Sequence, residues 1–331
     1  MVKKVGAPFA MLFAMLVASA PAALAQGAPK SEFPAKPVRL ITLTAPGGAL
    51  DVLARMLATR FTARLGQPFI VENRTGASGN IGLDLVAKAA PDGYTIGMCT
   101  TSTHGINPAL YGSRMPFDPI KDFAPISTLA ELNNVIVVHP SIPVRDIGEL
   151  VSYARANPGK LSFGSGGTGS SQHLGGELLK TMTGIDMLHV PYKGLAQAIP
   201  DLLSGQISLI FSSIPDSRPH ILSGKLRAIG VTSNRRAALL PEVPTVAEQG
   251  YPGFNVRGWF GMVAPAGTPA DIVALYNREI VAALGQGEAR NRLLAIGLDP
   301  LTMTPEQFAA FIREEIQKWT MVVNSSGARA E

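Results

Sequence analysis

Residues 160–171 read Lys160-Leu161-Ser162-Phe163-Gly164-Ser165-Gly166-Gly167-Thr168-Gly169-Ser170-Ser171, and a helical pattern from His173 to Thr183 follows. A short β-run, a glycine-rich turn and a helix form one βα unit, and a chain of such units folds as an α/β protein on a parallel sheet. A glycine turn that opens a helix exposes backbone N–H groups at the positive end of the helix dipole, which suits an anion. Two nucleotide patterns overlap this turn and both fail. Gly164-x-Gly166-x-x-Gly169 has dinucleotide spacing, but the next strand ends in Val190-Pro191-Tyr192-Lys193 with no acid to hold a ribose, and Asp186 lies at its wrong end. Gly164-x4-Gly169-Ser170-Ser171 outlines a phosphate loop with Ser170 where lysine is required.

The same unit recurs on both sides. Upstream, β-runs are expected over Val38–Thr44, Pro68–Glu72 and Tyr94–Cys99, with helices over Asp51–Leu65 and Ile81–Ala90 between them. The pattern restarts with strands at Asn134–Val138, Leu161–Gly164, Met187–Val190, Ile207–Phe211 and Ala228–Thr232, alternating with helices at Ile147–Ala156, Ser170–Thr183, Ala196–Leu203 and Pro215–Ser223. From Pro269 onward the chain reads as helical: Pro269–Leu284, Glu288–Ile296 and Pro305 to Val323, the last with Thr304 as N-cap and Pro305 at N1. Helices without a sheet of their own are expected to pack on the first α/β block. That makes the first lobe discontinuous, residues 26–131 with 255–331, around a second lobe of residues 132–254. Connecting segments are expected near 124–134 and 254–263, so that the lobes can close on each other.

The first 25 residues read as a secretory signal peptide: Lys3 and Lys4, an apolar stretch from Phe9 to Ala20, then Ala23-Leu24-Ala25 as the cleavage pattern. Cleavage after Ala25 would leave about 306 residues outside the cytoplasm, enough for two domains. No cysteine follows to carry a lipid. Cys99 is the chain's one cysteine, so no internal disulfide forms, and its apolar surroundings make it a buried strand thiol. The formal charge of +5 falls to +3 once the two leader lysines are removed. Basic residues are scattered without interleaved aromatics, which argues against nucleic acid.

Ligands of open α/β sheets bind at the carboxyl ends of strands. The turns there are Ala45–Ala49, Asn73–Gly79, Thr100–Gly105, Gly164–Ser171, Tyr192–Gly194 and Ser212–Ser213, three from each lobe, and they are expected to converge on one cleft. They offer backbone N–H groups and hydroxyls but few charges. Catalytic sets are lacking: no Gly-x-Ser-x-Gly occurs, the five histidines have no metal spacing, and His173, three residues after Ser170, reads as a structural histidine bonding nearby backbone. Asp51 reads either as a helix first-turn acid or as the residue that fixes the first glycine loop. Binding of a carboxylate by neutral donors, with no catalytic residue, cofactor or metal, is what remains.

Over residues 33–325 the chain resembles the substrate-binding proteins of tripartite tricarboxylate transporters, the Bordetella uptake gene (Bug) family. The segments that carry this are Pro37-Val38-Arg39-Leu40-Ile41 with Gly47-Gly48-Ala49-Leu50-Asp51, Val71-Glu72-Asn73-Arg74, Gly79-Asn80-Ile81-Gly82, Ala87-Lys88-Ala89-Ala90-Pro91-Asp92-Gly93-Tyr94, His189-Val190-Pro191-Tyr192-Lys193-Gly194, Pro241-Glu242-Val243-Pro244-Thr245 and Trp259-Phe260-Gly261. The resemblance implies a type II periplasmic binding fold, two lobes joined by two crossover strands. It also implies a small organic acid as ligand and delivery, by a monomer, to a membrane permease of one large and one small subunit. Carried onto this sequence, it points to Ala45, Gly47, Gly48 and Asp51, to Thr101, Ser102 and Thr103, to Thr168, Gly169 and Ser170, and to Gly194 and Ser212. Departures are Leu43-Thr44-Ala45 where the family has Pro-Phe-Pro, Leu50 in place of a small hydroxyl residue, and Thr75 in place of proline. Members that bind amino acids carry Asp where Ser212 stands, so a ligand without an ammonium group is expected. The alternatives are a secreted hydrolase or lyase using the same cleft, and a ligand sensor acting on a receptor kinase.

Overall fold

The computed structural model describes residues 1–3, 6, 33–192 and 195–326, and every element below lies in the unit that begins at Phe33. Most of the expected leader and Gly194 lie outside the described residues. Strand β1 (Val38–Thr42) buries Val38, Leu40 and Ile41, and helix α1 (Ala49–Leu65) buries Leu50, Leu53, Ala54, Leu57 and Phe61 at helical spacing against it. Gly66 ends α1 at φ 74°, a left-handed conformation that favours glycine. Strand β2 (Phe69–Asn73), helix α2 (Asn80–Ala87) and strand β3 (Thr95–Thr100) follow, and β2, β1 and β3 pair in parallel in that order. Beyond β3 the chain continues as a helical run whose middle, Ser102–Ile106, is a π-helical turn, into short helix α3 (Asn107–Tyr111).

Strand β4 (Phe123–Val138) is 16 residues long and crosses the molecule. The second α/β block then runs α4 (Ile147–Ala156), β5 (Ser162–Ser165), α5 (Ser171–Thr183), β6 (Leu188–Pro191), α6 (Leu195–Leu203), β7 (Leu209–Ser213), α7 (Ile214–Leu222) and β8 (Arg227–Val231). Strand β9 (Arg257–Pro265), helix α8 (Ala270–Leu284), helix α9 (Glu288–Ala295), strand β10 (Leu298–Pro300) and helix α10 (Pro305–Ser326) complete the chain. Residues 123–133 of β4 pair antiparallel with β9, which pairs antiparallel with β3, giving the order β2-β1-β3-β9-β4. Residues 134–138 of the same strand pair with β7 and β8, and β7, β5 and β6 are parallel. Each lobe therefore has three parallel strands followed by an antiparallel strand that enters from the other lobe. That is the type II periplasmic binding architecture, and β4 and β9 are the crossover strands.

The connecting segments expected near 124–134 and 254–263 fall for the most part in β4 and β9, the two strands that join the lobes. Pro125 and the hydroxyl residues after it hide the strand pattern, and the ladder accommodates that proline at a register shift between Pro125 and Ser127. The C-terminal helices do not rest on the first lobe alone. Phe308, Phe311 and Ile312 of α10 sit in the first lobe's core, whereas Trp319, Val322 and Val323 sit in the core built from α4, α5 and β7 of the second lobe. Cys99 is fully buried on β3, and burial pushes its thiol well up. Among the described residues no helix is long and apolar enough to cross a membrane.

Candidate ligand-binding site

A cavity of about 750 Å³ lies at the carboxyl ends of β1, β3, β5 and β6. The first lobe lines it with Leu43, Thr44, the Gly76–Gly79 turn, Thr100–Ser102, Leu110 and Tyr111. The second lobe adds Gly166–Ser171, Pro191 and Tyr192, and the crossover strands supply Leu132 and Gly258–Phe260. No described lining residue carries a charged side chain.

The second-lobe turn is shaped by its own hydrogen bonds. Gly167 and Gly169 have φ of 121° and 78°, which a side chain would strain. The Gly167 N–H donates to Ser165 Oγ at 3.2 Å, the Gly169 N–H to His173 Nδ1 at 3.0 Å, and the Ser170 N–H to the Gly167 carbonyl at 3.1 Å. Ser170 is the N-cap of α5, its Oγ accepting from the His173 N–H at 3.2 Å. Ser171 and Gln172 are then the first two residues of α5, whose N–H groups have no helical partner. No acid occupies that first turn. A dipole end without its own counter-charge, at a cavity wall, is what an anion needs.

His173 is a structural histidine: its Nδ1 is spent on Gly169. Its ring stacks on His189 with centroids 3.9 Å apart, and His189 Nε2 lies 2.7 Å from Ser165 Oγ. Burial, the neighbouring imidazole and Lys180 hold His173 down at about 4, and burial and Lys180 do the same to His189. Both rings are therefore uncharged at neutral pH.

The first glycine loop behaves differently from expectation. The Gly47 N–H donates to Asp51 Oδ2 at 2.9 Å, and the Gly48 N–H turns back to the Ala45 carbonyl at 3.3 Å. Asp51, 1 % exposed, also accepts from Arg55 at 2.9 and 3.0 Å and from Asn73 Nδ2 at 2.8 Å. Burial opposes its charge, but the bonds from Arg55, Gly47 and Asn73 outweigh it and bring its carboxyl down to about 2. The N-terminus of α1 is thus filled by the chain's own carboxylate. Ala45, Gly47, Gly48 and Asp51 do not line the cavity. Thr44 does, and its Oγ1 is buried with no partner among the described residues.

The other expected residues divide. Thr101 and Ser102 line the cavity, as do Thr168, Gly169 and Ser170. Thr101 Oγ1 accepts the Trp259 N–H at 2.7 Å, tying the turn after β3 to β9. Thr103 is fully buried behind the wall, where its Oγ1 accepts the Thr100 N–H at 3.0 Å. Ser212 is fully buried on β7 with its Oγ donating to the Ser213 carbonyl, and it does not reach the cavity. Tyr192, from the expected Tyr192–Gly194 turn, also lines the cavity. Its hydroxyl donates to Asp201 Oδ2 at 2.7 Å and is pushed up to about 12 by burial and that carboxylate. The Asn73–Gly79 turn was legible as a cleft turn, but not the left-handed φ of Ala77 (45°) and Ser78 (53°), which places Ser78 on the wall. Leu110 approaches from the first lobe so closely that a Cβ on Gly169 would lie 2.5 Å from its Cδ1.

Residues 53–328 match the tripartite tricarboxylate transporter family receptor. The protein BugT of Bordetella pertussis is 38% identical over 298 residues, 90% of this chain and 91% of that protein. An R. palustris protein solved with adipate is 38% identical with a TM-score of 0.76, over 90% of this chain and 99% of that one. MatC from Rhodopseudomonas palustris, solved with bound malate, is 34% identical with a TM-score of 0.72, over 88% and 100%.

Proposed function

Because the chain belongs to the tripartite tricarboxylate transporter receptor family, we propose that it is an exported solute-binding protein that captures a small organic acid between its lobes. Members of this family are periplasmic solute-binding proteins, and two relatives were solved with adipate and malate. The observation that carries the reading is the uncharged cavity wall with the open N-terminus of α5 on it. A carboxylate meets N–H and hydroxyl donors already held in place, so little ordering is lost on binding. Thr101, Ser102, Thr168, Gly169 and Ser170, joined by Thr44, Ser78 and Ser171, are the proposed contacts. Gly47, Gly48 and Asp51 shape the wall from behind.

The lobes divide where β4 changes partners between Asn133 and Asn134, and again between Val256 and Arg257. The chain works in the periplasm after cleavage at Ala25, without catalysis, and passes its ligand to a permease of one large and one small membrane subunit. His173, its Nδ1 already bonded to backbone, supports binding over hydrolysis.

A thermal-shift panel of carboxylic acids that includes adipate and malate tests this. A ligand at 100 times its Kd adds about 2.7 kcal/mol of stability and is recovered unchanged. A panel in which no acid raises the melting temperature, or in which the stabilising acid is consumed, overturns the reading.

A further inference from the structure

Behind the cavity wall, and outside its lining, sits a carboxylate with no part in the site described above. Glu315 on α10 is 4 % exposed, and its Oε2 accepts both the Trp259 Nε1–H at 2.9 Å and the Trp319 Nε1–H at 3.0 Å. Its Oε1 is bonded by Lys318, whose ammonium also reaches the Asn255 carbonyl at 3.5 Å, just before the chain enters β9. Burial pulls the Lys318 amine down, and Glu315 works against that.

The two indoles belong to different parts of the molecule. Trp259 is on β9, its residue lines the cavity, and its backbone N–H is held by Thr101, another lining residue. Trp319 belongs to the apolar core of the second lobe. It lies against the π-helical turn that follows Thr101: a Cβ on Gly105 would be 2.9 Å from its Cδ1. A closed circuit therefore runs Thr101, Trp259, Glu315, Trp319, Gly105 and back to Thr101. Glu315 also stands on α10 between Phe311 and Ile312, buried in the first lobe's core, and Trp319, buried in the second's. Burying a carboxylate costs more solvation than an apolar side chain of that volume would, so stability alone is a poor reason for an acid here. Fixing two indole N–H groups in one geometry is a reason that only an acceptor supplies.

We propose that Glu315 is a positioning residue that clamps the cavity's β9 wall to the second-lobe end of α10, and so sets interlobe geometry and ligand affinity without touching the ligand. The affinity half rests on the proposed function, and the geometric half does not. The test uses the mature protein with spin labels on Thr59→Cys and Ser152→Cys, exposed positions on α1 and α4. Interlobe distances are measured without ligand in the parent, in Glu315→Gln, and in Glu306→Gln as an exposed control on the same helix. The amide keeps the shape but loses the charge that both indoles share. Glu315→Gln broadens the distance distribution and raises the Kd for the acid that best stabilises the parent about tenfold, as loss of hydrogen bonds to a charged group does. Glu306→Gln changes neither. A lowered melting temperature with parental distances and parental Kd means a merely structural role and overturns the proposal. If Glu315→Gln does not fold, Trp319→Phe, which removes one indole N–H and keeps a ring, is read by the same criteria. If no acid stabilises the parent, the proposed function fails, and the ligand-free distances still decide the geometric half.

Discussion

The backbone N–H of Gly47 donates to Oδ2 of Asp51 at 2.9 Å, so the first glycine loop carries its own anion. Asp51→Ala removes a buried acceptor that Gly47, Asn73 and the exposed Arg55 share. It is expected to destabilise the fold by about 3 kcal/mol in urea titrations. Asp51→Asn, which keeps shape and one acceptor oxygen, costs less. Equal losses for the two would show that the charge is irrelevant there.

Gly48 and Gly169 respond differently to a methyl group. Gly48 has φ −68°, and a Cβ there has no neighbour closer than 3.4 Å, so Gly48→Ala leaves carboxylate affinity within about twofold, or 0.4 kcal/mol. Gly169 has φ 78° and a Cβ there meets Leu110, so Gly169→Ala weakens binding about tenfold through a displaced turn. Calorimetric titration of both variants with the same acid gives the order, and the reverse order would sink the assignment of the cavity.

Stability is expected to depend on pH through the stacked histidines. His173 and His189 titrate near 4 when folded and near 6.5 when unfolded. Between those values the unfolded chain binds more protons, so stability is full above about pH 6.5 and falls as pH drops toward 4. Melting temperatures across this window should therefore decline. His173→Asn, which keeps an acceptor for Gly169, should flatten the decline, and an unchanged slope would count against the buried neutral pair.

An α-ammonium group has no anionic partner on the described cavity wall. Aspartate and glutamate should bind at least tenfold, about 1.4 kcal/mol, more weakly than the same acids without the amine. Calorimetry showing equal affinity refutes this. Ser212 is buried off the cavity, so this discrimination falls to the wall as a whole.

Much of the fold was legible in the chain because each βα unit announces itself by a β-run, a glycine turn and a helix. What escaped was non-local. β4 and β9 show no clean alternation because they are buried centrally and one carries Pro125 at an irregular register. That Thr168 to Ser170 lie on the cavity wall follows from a turn and helix cap that are contiguous in sequence. On the first lobe Thr101 and Ser102 lie on the cavity wall, whereas Thr44 lies there in place of Gly47 and Gly48, since which N–H a neighbouring carboxylate consumes depends on Asp51's rotamer and on Asn73, 22 residues away. Tyr192 lies in one of the turns expected at the cleft, whereas Leu110 reaches the wall through tertiary packing that no local pattern encodes.

The chain has two tryptophans, and both donate to the same oxygen of Glu315. Its indole emission therefore comes from one spot, next to the cavity and between the lobes. A ligand that shifts that spot alters the light from every indole in the protein at once, so the unlabelled wild-type chain is its own optical gauge of occupancy.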